Sequence, residues 1–157
     1  MSIGPYYYET NVTWQGRRRG EAQVSGLPAI TTSAPPEFDG EPGYWTPEHL
    51  FVAAVETCLM TTFLAVADKS KLNVVSYRSV SIAKLDWVEG EGLRFTNLTV
   101  RPVIEVRRQE DRDKVARLLE KAERHCFVGN ALRVRVQVEP CIEVLNGKVA
   151  PDARQVA

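Results

Sequence analysis

Cysteines, histidines and a short arginine run are the residues of this 157-residue chain whose types and spacing could do chemistry. Cys58 falls within an apolar run, flanked by Glu56, Thr57 and Leu59, and Cys126 follows a helical pattern in His125-Cys126-Phe127-Val128-Gly129-Asn130. Free cysteine packs as a small hydrophobe and is among the most buried residue types, so core packing also accounts for both positions. Cys126 comes eleven positions after Val115 on the same apolar stripe, and Cys141, beside Pro140 at a strand end, reads as structural. If Cys58 and Cys126 face one another, they form a dithiol that can cycle through a disulfide. In that cycle a thiolate attacks a peroxide oxygen and becomes a sulfenic acid, which the second thiol condenses with. The attacking thiol needs nearby positive charge, because an ordinary cysteine is mostly protonated at neutral pH.

Other chemistries find less support. His49 and His125 are the only histidines, and neither stands at metal-ligand spacing from cysteine or carboxylate, so neither a metal nor another cofactor is called for. The chain has no Gly-rich phosphate loop, no Gly-x-Ser-x-Gly elbow and no Cys-x-x-Cys.

The elements that must position the two thiols follow from local pattern. Residues 6–27 read as a hairpin with Gly16-Arg17-Arg18-Arg19-Gly20 at its tip, and 28–45, dense in Pro and Gly, read as a loop. Thr46-Pro47-Glu48 is a helix start, with a capping hydroxyl, a proline suited to the first turn and an anion where the dipole favours one. The helix that follows, 46–68, is apolar on almost every side, which predicts burial at the centre of the fold. Residues 74–106 form a long hairpin turning at Glu89-Gly90-Glu91-Gly92, 109–125 an amphipathic helix, and 132–145 a half-buried last strand. A polar tail, 146–157, ends the chain. The order ββ-α-ββ-α-β over a single domain, 1–157, implies an α+β fold with antiparallel sheet wrapped on a buried central helix.

Glu48 precedes Cys58 by ten positions, which at about 1.5 Å per residue puts them about 15 Å apart along one helix. Glu48 cannot reach the Cys58 of its own helix, whereas an antiparallel copy could bring a second chain's Glu48 close to it. The helix is also too apolar to lack a large partner surface, and both points favour a homodimer.

Composition bounds the rest. Hydrophobic residues make up 44% and charged residues 25%, with twenty Lys plus Arg against twenty Asp plus Glu, so no net field draws nucleic acid or an anionic membrane. No segment is read as the roughly 20-residue apolar run of a membrane helix, and the N-terminus lacks the basic and apolar regions of a signal peptide. Three cysteines do not resemble a secreted disulfide framework, and together these features predict a cytoplasmic protein.

Two segments resemble the OsmC/Ohr family (osmotically inducible protein C and organic hydroperoxide resistance proteins). Thr46-Pro47-Glu48-His49-Leu50-Phe51-Val52-Ala53-Ala54-Val55-Glu56-Thr57-Cys58 is similar to the family's helix that carries an acid and a cysteine at this separation. Cys126-Phe127-Val128-Gly129-Asn130-Ala131-Leu132 resembles its second-cysteine motif, with Phe127 where many members have proline, and Cys141 lies outside the pattern. The resemblance implies intertwined homodimers with active sites at the subunit interface, and a stress-response, antioxidant peroxidase that reduces organic hydroperoxides. Carried over, Cys58 is the peroxidatic and Cys126 the resolving thiol. Arg18, chosen over Arg17 and Arg19 by its spacing between the glycines, would hold the thiolate, and Glu48 would orient that arginine. Phe51, Leu59 and Phe63 would line an apolar substrate site, and a dithiol or lipoylated protein would be the reductant.

Two other classes stay open on the residues alone. One is a non-catalytic stress or binding protein that holds a small apolar ligand in the same interface pocket, with inert buried cysteines. The other is a thioesterase, for which Glu56 is only a nominal carboxylate.

Overall fold

The computed structural model describes residues 4–145. The tail at 146–157 therefore lies outside the described residues. The chain falls into two compact units, Met1–Phe51 and Val52–Ala157.

The first unit is a three-stranded antiparallel sheet in the order β1 (Asn11–Trp14), β2 (Arg19–Gln23), β3 (Ile30–Ser33). Trp14 pairs with Gly20 and Arg19 with Ser33, so the arginine run straddles the first turn and the start of β2. That turn places Gly16 at φ 95° and Arg17 at φ 47°, a left-handed pair that glycine adopts freely and arginine does not. The region expected to be all loop thus holds a strand. Ile30–Ser33 is four residues long and sits between Pro28 and Pro35, too short for an alternating pattern to show. After it the chain folds tightly on itself, so closely that a Cβ on Gly40 would lie 1.6 Å from the Ala34 carbonyl oxygen.

Among the described residues of this unit, only Ser33 and Thr46 are buried, and both are polar. Tyr8 and Trp14 are 93% and 74% exposed. A small sheet without an apolar face covered is marginal in water.

Helix α1 (Pro47–Lys69) starts as its sequence dictates, with the His49 amide donating to Thr46 Oγ1 at 3.2 Å. Its apolar stripe Val55, Leu59, Phe63 and Ala67 recurs every four residues and is fully or nearly fully buried. In the single chain this burial is one-sided. Ala54, Leu64 and Ala65 on other faces are exposed, because one chain supplies one sheet surface to the helix. One correction concerns length: at 23 residues, α1 is long and apolar enough by composition to cross a membrane, contrary to the sequence reading. In this fold its stripe is spent on the sheet, with Phe63 against Tyr77 at 6.0 Å between ring centroids.

The second unit's sheet is built on a long hairpin, β4 (Val74–Val88) and β5 (Gly92–Val106), reversed through Gly90 and Gly92, both at positive φ. Leu98, Val100, Pro102, Ile104 and Val106 of β5 form the buried face that the alternation predicts. Helix α2 (Arg112–His125) lays Val115, Leu119 and Ala122 into the core, and a short helix, α3 (Phe127–Asn130), follows. The last strand is in fact two, β6 (Val136–Val138) and β7 (Cys141–Val144), broken at Pro140. Both pair parallel to β5, so the sheet is mixed rather than wholly antiparallel. The cause is α2, which returns the chain to the end where β5 began, so that the next strand must run the same way.

Replacing Phe63 by Ala removes a fully buried ring that bridges α1 to β4. The expected loss is about 3–5 kcal/mol in urea or guanidinium unfolding. A loss below about 1 kcal/mol would mean that the helix is held to the sheet by something else.

Candidate active site

Cys58 lies on α1, half-buried, and Cys126 sits buried at the junction of α2 and α3. The fold brings the two thiols near enough for Cys58 to act on the ionisation of Cys126, as the apolar-stripe positions allow but do not require. The Cys126 sulfur also accepts from the Gly129 amide at 3.4 Å, capping α3. Gly129 is matched to this sulfur, since a Cβ there would stand 3.3 Å from it. Burial, then the contact with Cys58, pushes the Cys126 thiol from 9.0 to about 11. At rest Cys126 is thus a neutral thiol.

Leu59, expected at the substrate site, borders a cavity of about 430 Å³ that also reaches Cys126. Phe63 does not border it; that ring packs on Tyr77. Phe51 is half-buried and belongs to the N-terminal unit.

Arg18 and Glu48 also belong to the N-terminal unit. Arg18 donates to the Phe38 carbonyl and pairs with Asp39 at 3.2 Å, and no hydrogen bond joins it to Glu48 among the described residues. Asp39 was not part of the sequence reading, since its left-handed backbone, φ 59°, and its approach to Arg18 depend on the fold after β3. Arg19 is held by Tyr44 at 3.3 Å and Glu41 at 3.6 Å, with its guanidinium over the Tyr44 ring. Arg17 contributes its carbonyl, which accepts from the Trp14 indole at 2.9 Å. One carboxylate oxygen of Glu48 is buried without a partner, a costly state that a cationic group would relieve.

Sequence reasoning missed the charged residues around the cavity: Glu123, Arg124, Arg133 and Arg135. Arg133 and Arg135 alternate with Val134 and Val136 and are exposed, as on the solvent face of a strand; residues 132–135 are irregular, and both arginines lie at the cavity rim. Glu56 accepts a hydrogen bond from Ser79 Oγ on β4, which ties the helix to the sheet.

An α+β unit with a dithiol between its central helix and the end of a second helix defines a class, and comparison gives the family. The family profile described as OsmC-like protein matches residues 39–140, and the chain belongs to that family. It is 25% identical over 142 residues to the uncharacterized protein YmaD of Bacillus subtilis (strain 168), covering 87% of this chain and 93% of that one. An OsmC-like protein of unknown function from Vibrio cholerae superposes with a TM-score of 0.79 at 22% identity, covering 86% of this chain and 99% of that chain. A Legionella pneumophila structure described as an organic hydroperoxide resistance protein OsmC gives 0.66 at 26% identity, covering 88% and 99%.

The buried thiol sets a measurable order of reactivity. At pH 8 a rise from 9.0 to about 11 lowers the Cys126 thiolate fraction about a hundredfold. Iodoacetamide labelling followed by peptide mass mapping is expected to modify exposed Cys141 well before Cys126, with Cys126 labelling rising about tenfold per pH unit up to pH 10. Equal labelling of the two at pH 8 would contradict the buried, neutral thiol.

Proposed function

We propose that this protein is a thiol-dependent peroxidase that reduces organic hydroperoxides to alcohols. The observation that carries the reading is the contact between Cys58 and Cys126, supplied by two separate helices. In the proposed cycle the Cys58 thiolate attacks the terminal peroxide oxygen, the O–O bond breaks, and the alkoxide leaves as the alcohol after taking a proton. Cys126 then attacks the Cys58 sulfenic sulfur, expelling hydroxide as water and forming the Cys58–Cys126 disulfide. A dithiol returns both sulfurs to the reduced state.

We assign Arg18 to holding the thiolate and polarising the peroxide, and Glu48 to orienting Arg18. The unpartnered buried oxygen of Glu48 supports that assignment, because it offers an acceptor with no other use. Arg18 would have to exchange its exposed pair with Asp39, a contact worth about 0–1 kcal/mol. The site is completed in an intertwined homodimer, in which Glu48 of the partner subunit approaches Cys58. The open faces of α1, the uncovered first sheet, and Trp87 at 72% exposure on β4 support a second chain as the missing cover. Val55 and Leu59 favour an apolar substituent on the peroxide. A reducing cytoplasm would keep the resting dithiol competent.

The test is peroxide consumption by reduced protein with cumene hydroperoxide or hydrogen peroxide and dihydrolipoamide as reductant. Turnover is expected with the organic peroxide. Cys58→Ser abolishes it, and Cys126→Ser lets Cys58 proceed to sulfinic acid. Undiminished turnover by Cys58→Ser would refute the peroxidase, and a solution mass equal to a single chain would refute the dimeric site. Thiols that stay reduced under peroxide would turn attention to a ligand-binding role for the cavity.

A further inference from the structure

Gly129 stands in the short helix α3, just after Cys126, and its backbone gives no reason for a glycine. Gly16, Gly90 and Gly92 occupy positive φ in their turns, whereas Gly129 holds a helical conformation that any residue adopts. A helical glycine also costs stability relative to alanine, because it loses more freedom on folding. What sets the position apart is the space beside its Cα. A Cβ there would meet the Cys126 sulfur at 3.3 Å and Val136 Cγ2 at 3.6 Å, wedged between the reactive sulfur and β6.

The amide of the same residue donates to that sulfur at 3.4 Å. The turn does not need this bond to close. The Asn130 amide donates to the Cys126 carbonyl at 2.9 Å, and the Ala131 amide to the Phe127 carbonyl at 3.2 Å. Asn130 Nδ2 adds a bond to the Arg124 carbonyl at 2.9 Å. A thiol is a weak acceptor, while bonds to an ionised acceptor are shorter and stronger. The bond from Gly129 therefore strengthens only as Cys126 ionises. Its amide pulls the thiol down against burial and the neighbouring Cys58, which push it up.

We infer that Gly129 is a positioning residue for the resolving step: its missing side chain lets the Cys126 sulfur seat on its amide, which holds the attacking thiolate. The inference rests on the peroxidase reading and deepens it at the same cysteine. In that step Cys126 gives its proton to solvent and its thiolate attacks the Cys58 sulfenic sulfur. A sulfur–sulfur bond forms, the sulfur–oxygen bond breaks, and the departing hydroxide takes up a proton as water. A methyl group on residue Gly129 forces the sulfur to give by a few tenths of an ångström. The thiolate then has a weaker donor at the moment of attack, and Cys58 waits longer as a sulfenic acid that a second peroxide can oxidise.

The experiment compares the parent, Gly129→Ala, Val136→Ala and the Gly129→Ala/Val136→Ala pair, all carrying Cys141→Ser. Disulfide formation after one equivalent of cumene hydroperoxide is followed by acid quench and mass spectrometry, and Cys58 sulfinic acid is measured under excess peroxide. Gly129→Ala is expected to slow disulfide formation about fivefold and to raise sulfinic acid by a similar factor. Its thermal unfolding midpoint is expected not to fall, because alanine suits this backbone. Val136→Ala removes the atom on the far side of the new methyl, so the pair is expected to return to the rate of Val136→Ala alone. Parent-like resolution in Gly129→Ala, or a pair slower than Gly129→Ala, would overturn the inference. Amide hydrogen exchange decides the matter with Gly129 left in place. Cys126→Ala is expected to speed exchange of the Gly129 amide about tenfold and to leave the Asn130 amide unchanged. Equal Gly129 exchange in the two proteins would overturn the inference whether or not Gly129→Ala folds. Failure of the peroxidase itself shows separately, as a parent Cys58 that stays a thiol under cumene hydroperoxide.

Discussion

Helix α1 sets the constraint on which the rest depends, because it is apolar around most of its circumference while the sheet of its own unit covers one stripe. Val55, Leu59, Phe63 and Ala67 anchor that stripe, and the Phe63–Tyr77 contact and the Glu56–Ser79 hydrogen bond fix its rotation over β4. With about 100° per residue, Cys58 projects about 60° from the direction of Val55, on the flank away from Glu56. The side chains that hold the helix thereby decide where the reactive sulfur points. They also leave Ala54, Leu64 and Ala65 to be covered by something else. A dimer that covers them would make the site and the fold depend on the same interface.

The environment of Cys126 imposes an order on the chemistry. Burial is the main reason its thiol is held up to about 11, and the neighbouring Cys58 is the next. The part due to Cys58 is electrostatic and hydrogen-bonded, so it changes when Cys58 changes. While Cys58 carries a thiolate, a second negative sulfur alongside is disfavoured. Once Cys58 has become a sulfenic acid that repulsion is gone, and the cost of ionising Cys126 falls to that of burial alone. In the proposed cycle Cys126 would thus stay quiet until Cys58 has become a sulfenic acid. The Gly129 amide, donating to its sulfur, is placed to favour the thiolate at that moment.

Much of this was legible locally. The Thr46 cap, the long hairpin and the stripe of α2 all follow from short-range pattern, and each has a local cause in capping, turn glycines or helical spacing. What escaped is what the chain assembles at a distance. Strand β3 is held by pairing to β2 rather than by its own four residues, and the parallel direction of β6 and β7 comes from the path of α2. Arg18 found Asp39, twenty-one positions away across the fold after β3, and no spacing rule marks such a pair. The packing of Phe63 on Tyr77 likewise depends on where β4 passes the helix, because aromatic and apolar character is common to cores and pockets alike.

The cavity arginines make the same point from the functional side. Arg133 and Arg135 carry the period of two that ordinarily marks a solvated strand face, yet the strand begins only at Val136. The irregular chain at 132–135 carries both arginines, still exposed, along the edge of a hollow. Unpaired arginines on a surface cost little in water, so their stability effect is small and selection for folding would not hold them together. Their clustering at the rim gives the cavity an electrostatic pull on any anion that approaches it. That pull acts on the rate of encounter and leaves the resting structure indifferent to it.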